Sequence, residues 1–247
     1  MIFFFAGEDR GHFEAGSSVA LRVLKSSVGW FEDTPVAWRG PEADHQWFKF
    51  KDAMSLARAA GIQTTGGFGG GAREFEVRAY RAMMLLWKKL AEDLGRRGED
   101  VVAGFILRDE DGEPRRRAGA EQARSTVSLR FKLALGFCVP EVESWYLCGL
   151  EPEDDAERAR LDALRRRLGF DPRRSSERLT STARGSERDA KKILKGLIGE
   201  VPERRARCLD LPVEHLRERG ATSGLKDFVA EVEAEIVPAL NSGHVRR

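Results

Sequence analysis

The chain contains only three cysteines, Cys138, Cys148 and Cys208, and four histidines in 247 residues. An odd cysteine number without metal-ligand spacing excludes a disulfide framework and a zinc module, and predicts buried free thiols in a reducing cytosol. No stretch approaches the ~20 apolar residues of a membrane span. The apolar opening 2–6 is too short for a signal peptide and runs directly into acids, so a soluble cytoplasmic protein with no membrane association is expected. Charge of one sign is also missing: 42 Lys and Arg stand against 40 Asp and Glu, for a formal net charge of +2. That balance excludes a global field drawing in nucleic acid and leaves only local basic patches. The glycine-rich stretch Thr64-Thr65-Gly66-Gly67-Phe68-Gly69-Gly70-Gly71 is not followed by Gly-Lys-Ser/Thr, which excludes a P-loop. It leaves a mobile loop or an anion-binding nest ahead of a helix. No Ser-His-Asp or Cys-His arrangement and no internal repeat stands out.

What the sequence does have is two apolar runs that end in acids. Val101-Val102-Ala103-Gly104-Phe105-Ile106-Leu107 reads as a strand buried on both faces, as in a parallel sheet. It stops at Arg108-Asp109-Glu110-Asp111-Gly112. Ile2-Phe3-Phe4-Phe5 runs in the same way into Ala6-Gly7-Glu8-Asp9. Ligands of open α/β sheets bind beyond the carboxyl ends of the strands. If both strands are parallel members of one sheet, Glu8, Asp109 and Asp111 meet at one edge, where a few convergent carboxylates suffice for Mg²⁺. Taken alone, Asp-x-Asp also describes a solvated turn. An EF-hand is disfavoured because Gly112 comes too early in the loop.

The remaining pattern predicts alternating strands and helices. Helices are expected over 16–28, from an Asp52 N-cap to Ala60 closed by Gly61, over 73–94 and over 118–135, with short strands at 35–39, 47–50 and 137–139. Pro140 suits the first position of a further helix carrying Glu141, Glu143, Trp145 and Tyr146. The 247 residues, 41% hydrophobic, suffice for one large domain or a domain with a helical extension. The expected fold is α/β, a mostly parallel sheet flanked by helices over 1–150, followed by a helical subdomain at 151–240 and a flexible tail at 241–247. Helices over 158–168, 186–198 and 225–240 carry that subdomain, and 172–184 reads as a polar loop.

In order along the chain, three pieces resemble the Toprim fold of topoisomerases, primases and OLD-type nucleases. They are Phe5-Ala6-Gly7-Glu8, Asp109-Glu110-Asp111, and Pro140-Glu141-Val142-Glu143-Ser144-Trp145-Tyr146-Leu147. The last is similar to the Glu-x-Trp-x-Leu motif of a compact Toprim-like family often encoded beside ATPases in bacterial defence loci. Lys191-Lys192-Ile193-Leu194 and Leu225-Lys226-Asp227-Phe228 resemble helical motifs of that family less specifically. One departure stands out: Toprim domains usually follow the first glutamate with glycine, whereas here Gly7 precedes Glu8 and Asp9 follows it.

The resemblance implies a metal-dependent nuclease. Asp109 and Asp111 would hold Mg²⁺, for which Mn²⁺ can substitute, against phosphate oxygens. Glu8 would serve as general acid/base or as a further ligand. Glu143, or Glu141, would complete the cluster, against the alternative of a helix-N-terminal acid favoured by the dipole. Lys191 would contact phosphate, against plain surface charge. Trp145 reads as core rather than a stacking platform, and His12 as a surface residue rather than a proton-transfer partner. Arg115-Arg116-Arg117 reads either as a nucleic-acid backbone contact or as a solvated loop. The implied partners are DNA or RNA and an ATPase, with self-association left open. The rival expectations are a non-catalytic Toprim-like subunit docked on an ATPase, and a small-molecule phosphatase using the same acids.

Overall fold

The structure, a computed structural model, describes residues 1–42, 44–63, 72–180 and 186–244. Five strands form one sheet: β1 (Ile2–Gly7), β2 (Ala37–Arg39), β3 (Phe48–Lys49), β4 (Val101–Asp109) and β5 (Lys132–Cys138). The order is β2-β1-β4-β5, with β3 also on β1 beyond β2, and every pairing is parallel. Strand periodicity sends alternate side chains to opposite faces, and β1 shows why it needs no polar side. Phe3 and Phe5 enter one core while Ile2, Phe4 and Ala6 enter the other. The second core is closed by α2 (Ala53–Ala59), α3 (Ala72–Gly95) and α4 (Arg115–Thr126), with Trp87 fully buried against Phe4 and Phe48. The first core is closed by α1 (Arg10–Ser27) and by the C-terminal helices.

Those helices are α5 (Glu143–Cys148), α6 (Asp155–Leu168), α7 (Ala190–Ile198), α8 (Pro202–Arg207), α9 (Val213–Arg219), α10 (Leu225–Glu231) and α11 (Val237–His244). A π-helical segment, Val232–Ile236, joins the last two into one run. The apolar stripes of the last third do not make a core of their own. Leu161, Ile193, Leu216, Phe228 and Ile236 join Phe105 and Val19 in a single cluster. Phe228 packs on both Phe105 and Trp145, whose indole donates to the Ser223 carbonyl. No helix among the described residues is long and apolar enough to cross a membrane.

Four expectations are corrected. The helix expected over 118–135 ends at Thr126, where the Ser125 and Thr126 hydroxyls donate back to the Gln122 and Ala123 carbonyls. From there Leu133, Leu135 and Phe137 alternate with Ala134 and Cys138 across the two cores, which is strand periodicity. The helix expected at Pro140 begins at Glu143, after a cis Val139–Pro140 peptide. Two short helices, α8 and α9, stand where none was expected; their buried apolar side chains are too few to set a period. Residues 241–244, expected in a flexible tail, belong to α11, while 245–247 lie outside the described residues. The glycine-rich stretch 64–71 and part of the expected loop at 172–184 also lie outside them.

One ion pair locks the C-terminal third. Arg204 Nε and Nη2 donate to the two Glu157 oxygens at 3.0 and 2.8 Å, and Nη2 also reaches the Glu151 carbonyl at 2.6 Å. Both residues are buried. Truncating one member of such a pair strands the other charge, so Arg204→Ala is expected to cost about 3 kcal/mol or more in urea unfolding. Glu157→Leu in the same chain should recover part of that loss, because the double variant leaves no orphaned charge.

Candidate active site at the carboxyl edge of the sheet

The strand order reverses direction at β1: the chain runs outward to β2 and β3, then crosses back to β4 and β5. The β1–β4 pair is therefore the topological switch point, where open α/β sheets bind ligands. Glu8 follows β1 at this edge, Asp109 ends β4, and Asp111 lies in the turn after it. Glu110 N–H donates to the Cys138 carbonyl and Asp111 N–H to that of Pro140, which ties the acidic turn to the end of β5. Asp111 has φ +48°, a left-handed backbone that aspartate tolerates better than most side chains. Glu141 and Glu143 come from the segment after β5, both buried.

Cations of the chain are interleaved with these acids. Arg108 donates from Nε to Glu8 at 2.8 Å and from Nη1 to Glu76 at 3.0 Å, with its guanidinium 4.3 Å from the centre of the Phe50 ring. The Nη1 of Arg116 lies 2.7 Å from the Asp109 carbonyl oxygen, 2.7 Å from Asp111 Oδ2 and 3.5 Å from Glu8 Oε1. His12 is fully buried, with Nδ1 2.9 Å from Asp9 and Nε2 2.9 Å from Asp109. Burial pulls that imidazole down, but the Asp109 and Asp9 hydrogen bonds outweigh it and hold its pKa up at about 10. Both ring nitrogens then donate, as an imidazolium between two carboxylates. Gly7 lets α1 close on the strand this way: a Cβ there would stand 2.7 Å from that of His12.

On the far side of Asp109 the balance tips toward excess acid. Burial pushes the Asp109, Glu141 and Glu143 carboxyls upward, Glu141 to about 7. Glu143 Oε2 is buried without a hydrogen-bond partner, while its Oε1 is 3.5 Å from Arg205. Lys191 is exposed, its Nζ 3.9 Å from Glu141, and its main-chain N–H donates to Glu141 Oε1. Glu143 and Lys191 share a cavity of about 600 Å³ with Arg10 and Arg205.

The structure thus brings Glu8, Asp109 and Asp111 to one edge and places Glu143 and Lys191 beside it. It does not close them into a carboxylate cage. Among the described residues, only Glu42, Asp44 and His45, all exposed, bring three such ligand atoms within 4.8 Å of one another. The acids of the sheet edge are instead spaced by Arg108, Arg116 and His12. The donor set nevertheless fits a hard cation: carboxylate and carbonyl oxygens surround one nitrogen of Arg116.

No family model, curated protein or solved structure matches the chain.

Several residues of the site escape a reading of the sequence. His12, expected at the surface, is buried because α1 begins at Arg10 and carries it under the edge. Asp9, directly after Glu8, caps α1 through its side chain. Arg108 and Glu76 carried a usable signal: a charged residue inside an apolar strand or helix face needs a buried partner. Arg116 belongs to none of the readings made of the triple arginine, since it faces acids of its own chain. Trp145 is core, as expected.

Proposed function

We propose that this chain is a Mg²⁺-dependent phosphodiesterase of the Toprim-like kind, cleaving DNA or RNA. The observation that carries the reading is the position of Glu8, Asp109 and Asp111 at the carboxyl ends of two adjacent parallel strands, at the switch point of the sheet. Mg²⁺, when bound, polarises a phosphate oxygen and activates water. Glu8 and Asp111 offer it carboxylate oxygens, and Asp109 is fixed beside them by Val142 N–H and by His12. Asp109 in turn sets the orientation of His12, which Asp9 holds from the other side. Glu143 supplies an unpartnered carboxylate oxygen, Oε2, at the cavity, and Lys191 a cation for phosphate. An ATPase partner and a role in defence against foreign genetic elements follow from the family resemblance alone.

A second reading is a non-catalytic subunit that binds an ATPase. Its support is that Glu8, Asp109 and Asp111 each already face a cationic group of the chain. Incubation with supercoiled plasmid and with total tRNA, in Mg²⁺, Mn²⁺ or EDTA, separates the two. The nuclease reading expects metal-dependent cleavage that disappears in Glu8→Gln. The subunit reading expects no cleavage in any metal and a stable complex with an ATPase.

A further inference from the structure

Two arginines approach Glu8, and they are held very differently. Arg108 is buried, donates through two nitrogens to two carboxylates, and stacks over Phe50. Arg116 lies in the first turn of α4 and holds its acids through one nitrogen only. Its Nε is buried without a hydrogen bond, with Glu113 and Glu76 no nearer than 3.6 and 4.0 Å. No carboxylate receives the paired fork that makes an arginine contact strong. Arg116 also sits at the amino end of a twelve-residue helix with no acid in its first turn, where the helix dipole disfavours a cation. A helix built only for stability would place acids there. The Arg116 contact is therefore made through one nitrogen alone, at a point where three oxygens converge.

We infer that Arg116 Nη1 marks the seat of the hard divalent cation, whose ligands are the Glu8 and Asp111 carboxylates and the Asp109 main-chain oxygen, and that Arg116 leaves this seat when the cation binds. The inference rests on the metal-dependent reading above and adds a ligand set and an exchange to it. One of the three oxygens belongs to the main chain, which is why the edge needs no third carboxylate within ligand distance. The cost of expelling Arg116 sets the cation affinity of the wild-type protein below what its acids alone would give. Arg108 stays in place through its contacts to Glu76 and Phe50, and its Nε keeps donating to the Glu8 oxygen it shares with the seat.

The test is Mn²⁺ titration of the whole chain followed by electron paramagnetic resonance, with thermal unfolding of the same samples. Wild type is compared with Arg116→Gln, Arg116→Lys and Asp111→Asn. Arg116→Gln is expected to bind Mn²⁺ at least about tenfold more tightly than wild type, since a competing charge is gone. Its metal-free melting temperature should fall below that of wild type and be restored by Mn²⁺, because Glu8 and Asp111 lose their counter-charge. Arg116→Lys, which keeps the charge and loses the planar geometry, should fall between the two and guards against a folding defect in the glutamine variant. Asp111→Asn should weaken binding. Equal Mn²⁺ affinity in wild type and Arg116→Gln overturns the exchange while leaving a metal site standing. Absence of Mn²⁺ binding in every protein overturns the exchange and the metal-dependent reading together.

Discussion

Asp109→Asn is expected to leave the fold intact and to reduce metal-dependent cleavage by about a hundredfold or more. The amide oxygen of asparagine can still accept the Val142 N–H that Asp109 Oδ1 accepts at 2.8 Å, so the link between β4 and the segment before α5 survives. The negative charge does not. His12, whose pKa the Asp109 and Asp9 hydrogen bonds raise to about 10, loses one of its two counter-charges. The main-chain oxygen of residue 109 stays in place for the cation, but the carboxylate that orders the site around it is gone. Circular dichroism and plasmid or tRNA cleavage, measured on the same preparation, check both halves of the statement. Unchanged cleavage would show that the edge acids are not the reacting site.

A large effect on stability is expected from Gly224→Ala. Gly224 has φ +79°, and a Cβ placed on it would stand 1.8 Å from the Phe137 carbonyl oxygen and 3.1 Å from its carbon. Neither side can yield: Phe137 is inside β5, and Gly224 opens α10, whose Leu225, Phe228 and Val229 are buried. The neighbouring Ser223 carbonyl accepts both Val139 N–H and the Trp145 indole, so the clash falls where the C-terminal helices dock on the sheet. Left-handed strain and overpacking together are expected to cost about 3 kcal/mol, a fall of roughly 6–12 °C in Tm for a chain of this size. The site would suffer as well, because Val139 leads directly into Glu141 and Glu143. Differential scanning calorimetry reads the first effect and cleavage reads the second. A Tm within a degree or two of wild type would mean that α10 does not seat on β5 as described.

The two apolar runs were legible because burial on both faces leaves no polar alternation to confuse with a helix. Their parallel pairing and the acids at their ends follow from the same pattern. The segment 127–135 was misread because Leu129, Phe131, Leu133 and Leu135 suit a helix by composition and a strand only by strict alternation. Pairing with β4 over Ala103–Asp109 decides between the two, and that partner is far away in sequence. The same limit hid the site's cations. Arg108 pairs with Glu8 across 100 positions and Arg116 with Glu8 across 108, distances that no local periodicity spans. The helix expected from residue 16 begins at Arg10, where the Asp9 cap was the available local signal, and this carries His12 under the edge. Glu143 follows β5, and its unpartnered oxygen is a property of packing alone.

The central claim is that a hard cation binds between β1 and β4 at the carboxyl edge of the sheet. Crystals of the whole chain grown with Mn²⁺, measured for its anomalous signal, test this most directly. The account predicts a peak among Glu8, Asp111 and the Asp109 carbonyl oxygen, with the Arg116 guanidinium moved out of that position. A peak at the exposed Glu42, Asp44 and His45 group alone, with Arg116 still on Asp111, would contradict it.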